Sequence, residues 1–142
     1  MKIIALWEKH DSGKTSTMKF LRDILLKRGA KEENIVEEND FISVFDFQNK
    51  KVGVFSGGDR QDILEENFKC LQEYHCDVII CPSRTKGETV HYLENIALQN
   101  NELIWVEKAR LSSGGKYPLD KERDIINLIQ AEILFEELKL QL

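Results

Sequence analysis

The sequence has no apolar run approaching the ~20 residues that a bilayer-crossing helix requires, so a helical membrane protein is not expected. It also has no basic excess. Its 20 Lys and Arg stand against 25 Asp and Glu, and the net charge of -5 argues against broad nucleic-acid binding through the phosphate backbone. Zinc-type cysteine spacing is missing as well. The three cysteines, Cys70, Cys76 and Cys81, are odd in number and two lie inside apolar segments, so buried free thiols in a reducing compartment are expected. Met1-Lys2 runs directly into the first apolar stretch and leaves no room for a signal peptide, which gives a cytoplasmic expectation. No internal repeat, low-complexity tract or interdomain linker is visible. A chain of 142 residues suits one domain with a sizeable core, so residues 1–142 are read as a single domain.

What is present is a chain with 42% hydrophobic and 32% charged residues, the composition of a soluble globular protein. Ile3-Ile4-Ala5-Leu6-Trp7 reads as a buried strand. After a short loop, Met18, Leu21 and Leu25 recur at helical spacing over residues 15–28, and Gly29 supplies a stop. Residues 31–40 are polar and acidic without clear period and read as a connector, with Ile35-Val36 as its one extended piece. Residues 41–47 and 52–55 are rich in β-branched and aromatic residues, and the polar turn Gln48-Asn49-Lys50-Lys51 between them predicts a β-hairpin.

Ser56-Gly57-Gly58-Asp59 then breaks the second hairpin strand, and Ile63, Leu64, Phe68 and Leu71 mark a helix. A strand over 77–81, a helix carrying Val90, Leu93, Ile96 and Ala97, and a strand over 103–106 follow. Residues 108–118, with Ser112-Ser113-Gly114-Gly115, read as a loop. Residues 120–142 form a long helix with a broad apolar face: Leu128, Ala131, Phe135, Leu138 and Leu142, with Ile125, Ile129 and Ile133 alongside. That face packs across the sheet; in a sharper reading its end also forms a homo-oligomer interface. The element order predicts an α/β fold with a mostly parallel five-stranded sheet, covered on both sides, and one antiparallel hairpin strand.

Right-handed crossovers bring the strand-to-helix loops of such a sheet to one edge, where ligands bind. The loops at 8–14, 56–60, 81–87 and 108–118 should therefore converge. The first hairpin strand runs the other way, so Asp40 should lie at the ligand edge and Asp46 at the opposite one. Asp59, in a converging loop, is the preferred carboxylate for a metal, with a helix N-cap as its plain reading; Asp40 is the reserve.

The loop before the first helix carries Asp11-Ser12-Gly13-Lys14-Thr15-Ser16. A strand, a short loop ending Gly-Lys-Thr and a helix N-terminus together can hold phosphates through backbone amides, a lysine and a hydroxyl. On these residues the chain resembles the P-loop NTPase superfamily, in a variant with Glu8 where the pattern has its first glycine. The resemblance implies a three-layer α/β/α fold and binding of ATP or GTP with Mg²⁺. It implies Lys14 on the β and γ phosphates, Thr15 on the metal, and the amides of Ser12, Gly13, Lys14, Thr15 and Ser16 around the phosphates. Arg84, at a strand end, is set beside Lys14 as a catalytic candidate, as a strand-end arginine serves in nucleotide kinases.

Several further readings attach to the same edge. His10 and Asp11 belong to the loop's structure. The hairpin after the first helix is similar to small GTPases, in which an aspartate would stand where Ser56 does. Thr85-Lys86-Gly87-Glu88 faintly resembles their guanine-reading motif, with glutamate for aspartate and one strand too early, and in its plain reading is a helix start with Thr85 and Glu88 as a capping box. Arg110 and Lys116 flank a loop that could close as a lid. The function expected is nucleoside-triphosphate hydrolysis or phosphoryl transfer. The alternative is a non-catalytic nucleotide-binding switch or adaptor for a protein partner, which Glu8 favours.

Overall fold

The computed structural model describes residues 1–7, 14–58, 60–84, 86–107 and 120–142, with backbone alone for 120 and 121. In chain order these residues form β1 (Lys2–Trp7), α1 (Lys14–Lys27), β2 (Lys31–Glu37), β3 (Phe41–Phe47), β4 (Lys50–Phe55), α2 (Gln61–Gln72), β5 (Val78–Ser83), α3 (Glu88–Ala97), β6 (Glu102–Glu107) and α4 (Asp120–Gln141). The architecture is α/β. One mixed sheet has the order β2-β3-β4-β5-β1-β6. β1 pairs in parallel with both β5 and β6, and β4 pairs in parallel with β5, whereas β3 is antiparallel to both β2 and β4.

The apolar run of β1 is explained by its place. Ile3, Ile4, Ala5 and Leu6 have no exposed surface, because strands flank them on both edges and helices cover both faces. Alternate residues feed two cores. Ile4, Leu6, Val54 and Ile80 join Met18, Leu21 and Leu25 of α1 and Leu134, Phe135 and Leu138 of α4. Ile3, Ala5, Ile79 and Cys81 join Leu64, Phe68 and Leu71 of α2 and Leu93 of α3. Each fully buried large aliphatic or aromatic side chain contributes about 1.5–3 kcal/mol, so these two layers hold the sheet edge in place.

The hairpin forms as the sequence predicts. Gln48 and Asn49 both have positive φ, 50° and 62°, which is the two-residue turn whose twist suits antiparallel strands. α1 ends at Gly29, with φ 91°; there the Ala30 amide donates to the Leu25 carbonyl at 3.0 Å and the Gly29 amide to that of Leu26 at 3.2 Å.

Three expectations are corrected. The sheet has six strands among the described residues, because 31–37 is a strand and not a connector. β2 is an edge strand whose side chains are largely exposed, so it needs little apolar sequence. It is held by β3 and by Arg22 of α1, which meets Glu32 and Glu37, each at 2.6 Å, and lies 4.9 Å from the Phe41 ring centroid. β5 runs on through Pro82 to Ser83, so its loop starts later than 81; β4 pairing stops at Ile80, which leaves Pro82 paired with Leu6 of β1 alone.

The third correction concerns α4, whose inward face keeps the expected Ala131, Phe135 and Leu138 but is rotated away from Ile125, Leu128, Ile129 and Ile133. Ile126, Asn127, Gln130, Ala131, Leu134, Phe135 and Leu138 are buried, while Ile125, Leu128, Ile129 and Ile133 are exposed. Asn127 accepts a hydrogen bond from Thr17 Oγ1 at 3.3 Å, and Phe135 stacks against Phe47 at 5.6 Å between centroids; these contacts set the helix's rotation. No helix among the described residues is long and apolar enough to cross a membrane.

Candidate functional site

Sheet topology singles out one crevice. β1 and β5 are neighbours, yet the chain leaves β1 into α1 on one face and leaves β5 toward α3 on the other. Ligands of open α/β sheets bind where adjacent strands diverge in this way, outside their C-terminal ends. Here those ends are Trp7 and Ser83, which are register partners.

Lys14, the first residue of α1, lies at this point. It is 6% exposed, and its Nζ donates to the main-chain carbonyl of Ser83 at 3.2 Å. That carbonyl fixes the ammonium's position at the end of β5. Ser83 Oγ in turn donates to the Arg84 carbonyl at 3.0 Å, so β5 delivers the exposed Arg84 immediately beside the residue that holds Lys14.

The next residue joins the crevice to the hairpin. Thr15 Oγ1 donates to the Ser56 carbonyl at 3.4 Å. Ser56, 2% exposed at the end of β4, accepts a hydrogen bond on Oγ from the Phe41 amide at 2.9 Å and donates from Oγ to Asp40 Oδ1 at 3.1 Å. Asp40 therefore stands at the edge the antiparallel strand assigns to it. Asp46 lies at the other end of β3, where it meets Lys51 at 3.1 Å. Ser16 is exposed on the first turn of α1.

Ser12, Gly13 and Asp59 lie outside the described residues, as do Glu8, His10, Asp11, Thr85, Arg110 and Lys116. The N-cap of α2 is Arg60 and that of α3 is Gly87, neither with a side-chain cap bond. Sequence reasoning missed Ser83 and the tie of Thr17 to Asn127. The available signal was a polar residue on an otherwise apolar helix face at each of positions 17 and 127.

The donor set suits a metal that arrives with phosphates. Magnesium takes oxygen ligands, keeps several waters and needs only one or two protein carboxylates alongside phosphate oxygens. Thr15 gives its proton to the Ser56 carbonyl, which leaves the oxygen's lone pairs for a cation. Among the described residues no three His, Cys, Asp or Glu side chains converge into an all-protein cage. The thiols stand apart from this chemistry: burial pushes Cys81 strongly upward and Cys76 up to about 11, which keeps both as thiols.

The fold and site thus define an α/β protein with a mixed sheet and a buried lysine at the crevice where two central strands part. No protein-family model, curated protein or solved structure matches this chain.

Proposed function

We propose that this chain is a P-loop NTPase-like domain with a three-layer α/β/α build, which binds a nucleoside triphosphate, ATP or GTP, and with Mg²⁺ hydrolyses it or transfers its phosphoryl group. The observation that carries the reading is Lys14, a nearly buried ammonium held on the Ser83 carbonyl beside the crevice between β1 and β5. A lysine ammonium fixed beside a helix N-terminus, at the end of a neighbouring parallel strand, is placed to meet a polyphosphate.

In this reading the N-terminus of α1 and the amides of Ser12, Gly13, Lys14, Thr15 and Ser16 surround the phosphates. Lys14 offsets the charge on the β and γ phosphates, and Arg84 approaches the same group from the end of β5. Mg²⁺ would neutralise phosphate oxygens when bound; Thr15 would hold it, with Asp59 as the carboxylate named by the sequence. Preorganised positive charge, rather than covalent chemistry by the protein, then supplies the rate enhancement.

A second reading is a nucleotide-dependent switch or adaptor without turnover. It draws on β5, which ends Cys81-Pro82-Ser83 beside Lys14 and presents no carboxylate there. Thermal denaturation with ATP, GTP and Mg²⁺ tests binding. Phosphate release without an acceptor then supports the NTPase, and binding without turnover supports the switch.

A further inference from the structure

We infer that the divalent cation accompanying a bound triphosphate is held from the hairpin side by the Asp40 carboxylate, with Ser56 as its positioning residue; the inference rests on the nucleotide reading above. A single residue, Ser56, links both parties. Its carbonyl takes the proton of Thr15 Oγ1 at 3.4 Å, and its hydroxyl donates to Asp40 Oδ1 at 3.1 Å. The Ser56 hydroxyl is itself pinned by the Phe41 amide at 2.9 Å, so the carboxylate is oriented by a buried group.

Room for that carboxylate is built into the loop that follows. A Cβ on residue 57 would stand 2.9 Å from Asp40 Oδ2, and Gly57 leaves that space open. Oδ1 is occupied by Ser56, so Oδ2 is the oxygen left to accept from a metal-bound water or to meet the metal. Asp40 is exposed, as a group that faces a ligand crevice should be. A hard cation with a phosphate-borne coordination shell takes one or two carboxylates, so Asp40 can join the Thr15 hydroxyl without displacing Asp59.

The arrangement has a structural consequence for the hairpin. The turn before Asp40 is closed by the Glu38 amide donating to the Asp40 carbonyl at 3.1 Å, and Glu37 beside it is clamped to Arg22 of α1. A cation on Thr15 and Asp40 would add a second clamp between α1 and the hairpin, formed only in the ligand complex.

The test uses the full chain and the variants Asp40→Asn, Ser56→Ala and Asp46→Asn. Thermal denaturation is followed with ATP or GTP alone and with added Mg²⁺, and Mn²⁺ affinity of the nucleotide complex is measured by electron paramagnetic resonance. Asparagine keeps an oxygen to accept the Ser56 bond, so Asp40→Asn removes charge with little change of shape. It should keep the shift given by nucleotide alone and weaken Mn²⁺ about 10–100-fold, as loss of a metal-orienting group does. Ser56→Ala should weaken it in the same direction by less, and Asp46→Asn, at the far edge, should leave it unchanged. Nucleotide stabilisation with unaltered Mn²⁺ affinity in Asp40→Asn overturns this inference alone. Absence of any nucleotide stabilisation in the unaltered chain overturns the nucleotide reading and this inference with it.

Discussion

The Lys14 ammonium donates to the Ser83 carbonyl at 3.2 Å, joining the first residue of α1 to the last residue of β5. Two segments far apart in sequence thereby meet at the ends of adjacent parallel strands. A helix packed on one face of the sheet sets its charged terminus against a strand whose own connection leaves over the other face. The candidate site is a consequence of this topology as much as of the Asp11–Ser16 sequence motif.

Gly53 and Gly57 distinguish the core from the site. At Gly53 an added Cβ would stand 2.9 Å from Leu71 Cδ1 and 3.0 Å from Cys76 Sγ, inside a packed layer. Gly53→Ala should cost about 1–3 kcal/mol by overpacking, read from urea denaturation. At Gly57 the obstacle is the end of the exposed Asp40 side chain, which can swing away. Gly57→Ala should cost less than Gly53→Ala in the same urea denaturation and weaken the metal dependence of nucleotide binding.

The rotation of α4 separates Phe135, expected and found inward, from Ile129, expected inward and found exposed. Phe135, 1% exposed, packs against Phe47 and beneath the charged groups of Arg28 and Lys139. Phe135→Ala should cost about 3–5 kcal/mol. Ile129, 52% exposed on the outer face, should change stability by no more than about 0.5 kcal/mol as Ile129→Ala in urea denaturation.

Buried thiols give a pH signature. Burial pushes Cys76 up to about 11 from a usual 9.0, with nearby Lys51 opposing and Asp77 adding to the rise. Below the usual value both folded and unfolded chains keep the proton, and the contribution to stability is complete. As pH rises from 9.0 toward 11 the unfolded chain ionises first, so stability falls across that window. Cys76→Ala should flatten the fall, measured by urea denaturation at stepped pH. At pH 8 an aromatic disulfide reagent should modify the half-buried Cys70 in the native chain and reach Cys76 and Cys81 only on unfolding.

Local chemistry made part of this fold legible. The polar turn Gln48-Asn49-Lys50-Lys51 between two apolar runs is enough to predict the hairpin, and the polarity of that hairpin separates Asp40 from Asp46. The strand β1 and helix α1 follow from periodicity and from Gly29. β2 was not legible because Glu32, Glu33 and Glu37 hide an edge strand whose partners, β3 and Arg22, lie elsewhere in the chain. The buried face of α4 was legible only at Ala131, Phe135 and Leu138, because apolar residues line both of its sides; Thr17 and Phe47, in other elements, choose between them. At the site, Lys14 and Thr15 could be named from the motif, whereas the roles of Ser83 and Ser56 depend on which strands end beside them.

The central claim is that the Lys14 crevice binds a nucleoside triphosphate. Thermal denaturation of the full chain with ATP or GTP and Mg²⁺, compared with Lys14→Ala, tests it most directly. At a ligand concentration 100-fold above Kd the unaltered chain should gain about 2.7 kcal/mol, or roughly 5–10 °C in Tm, and Lys14→Ala should lose most of that gain while still folding. A melting temperature unmoved by either nucleotide, or an equal shift in Lys14→Ala, would contradict it.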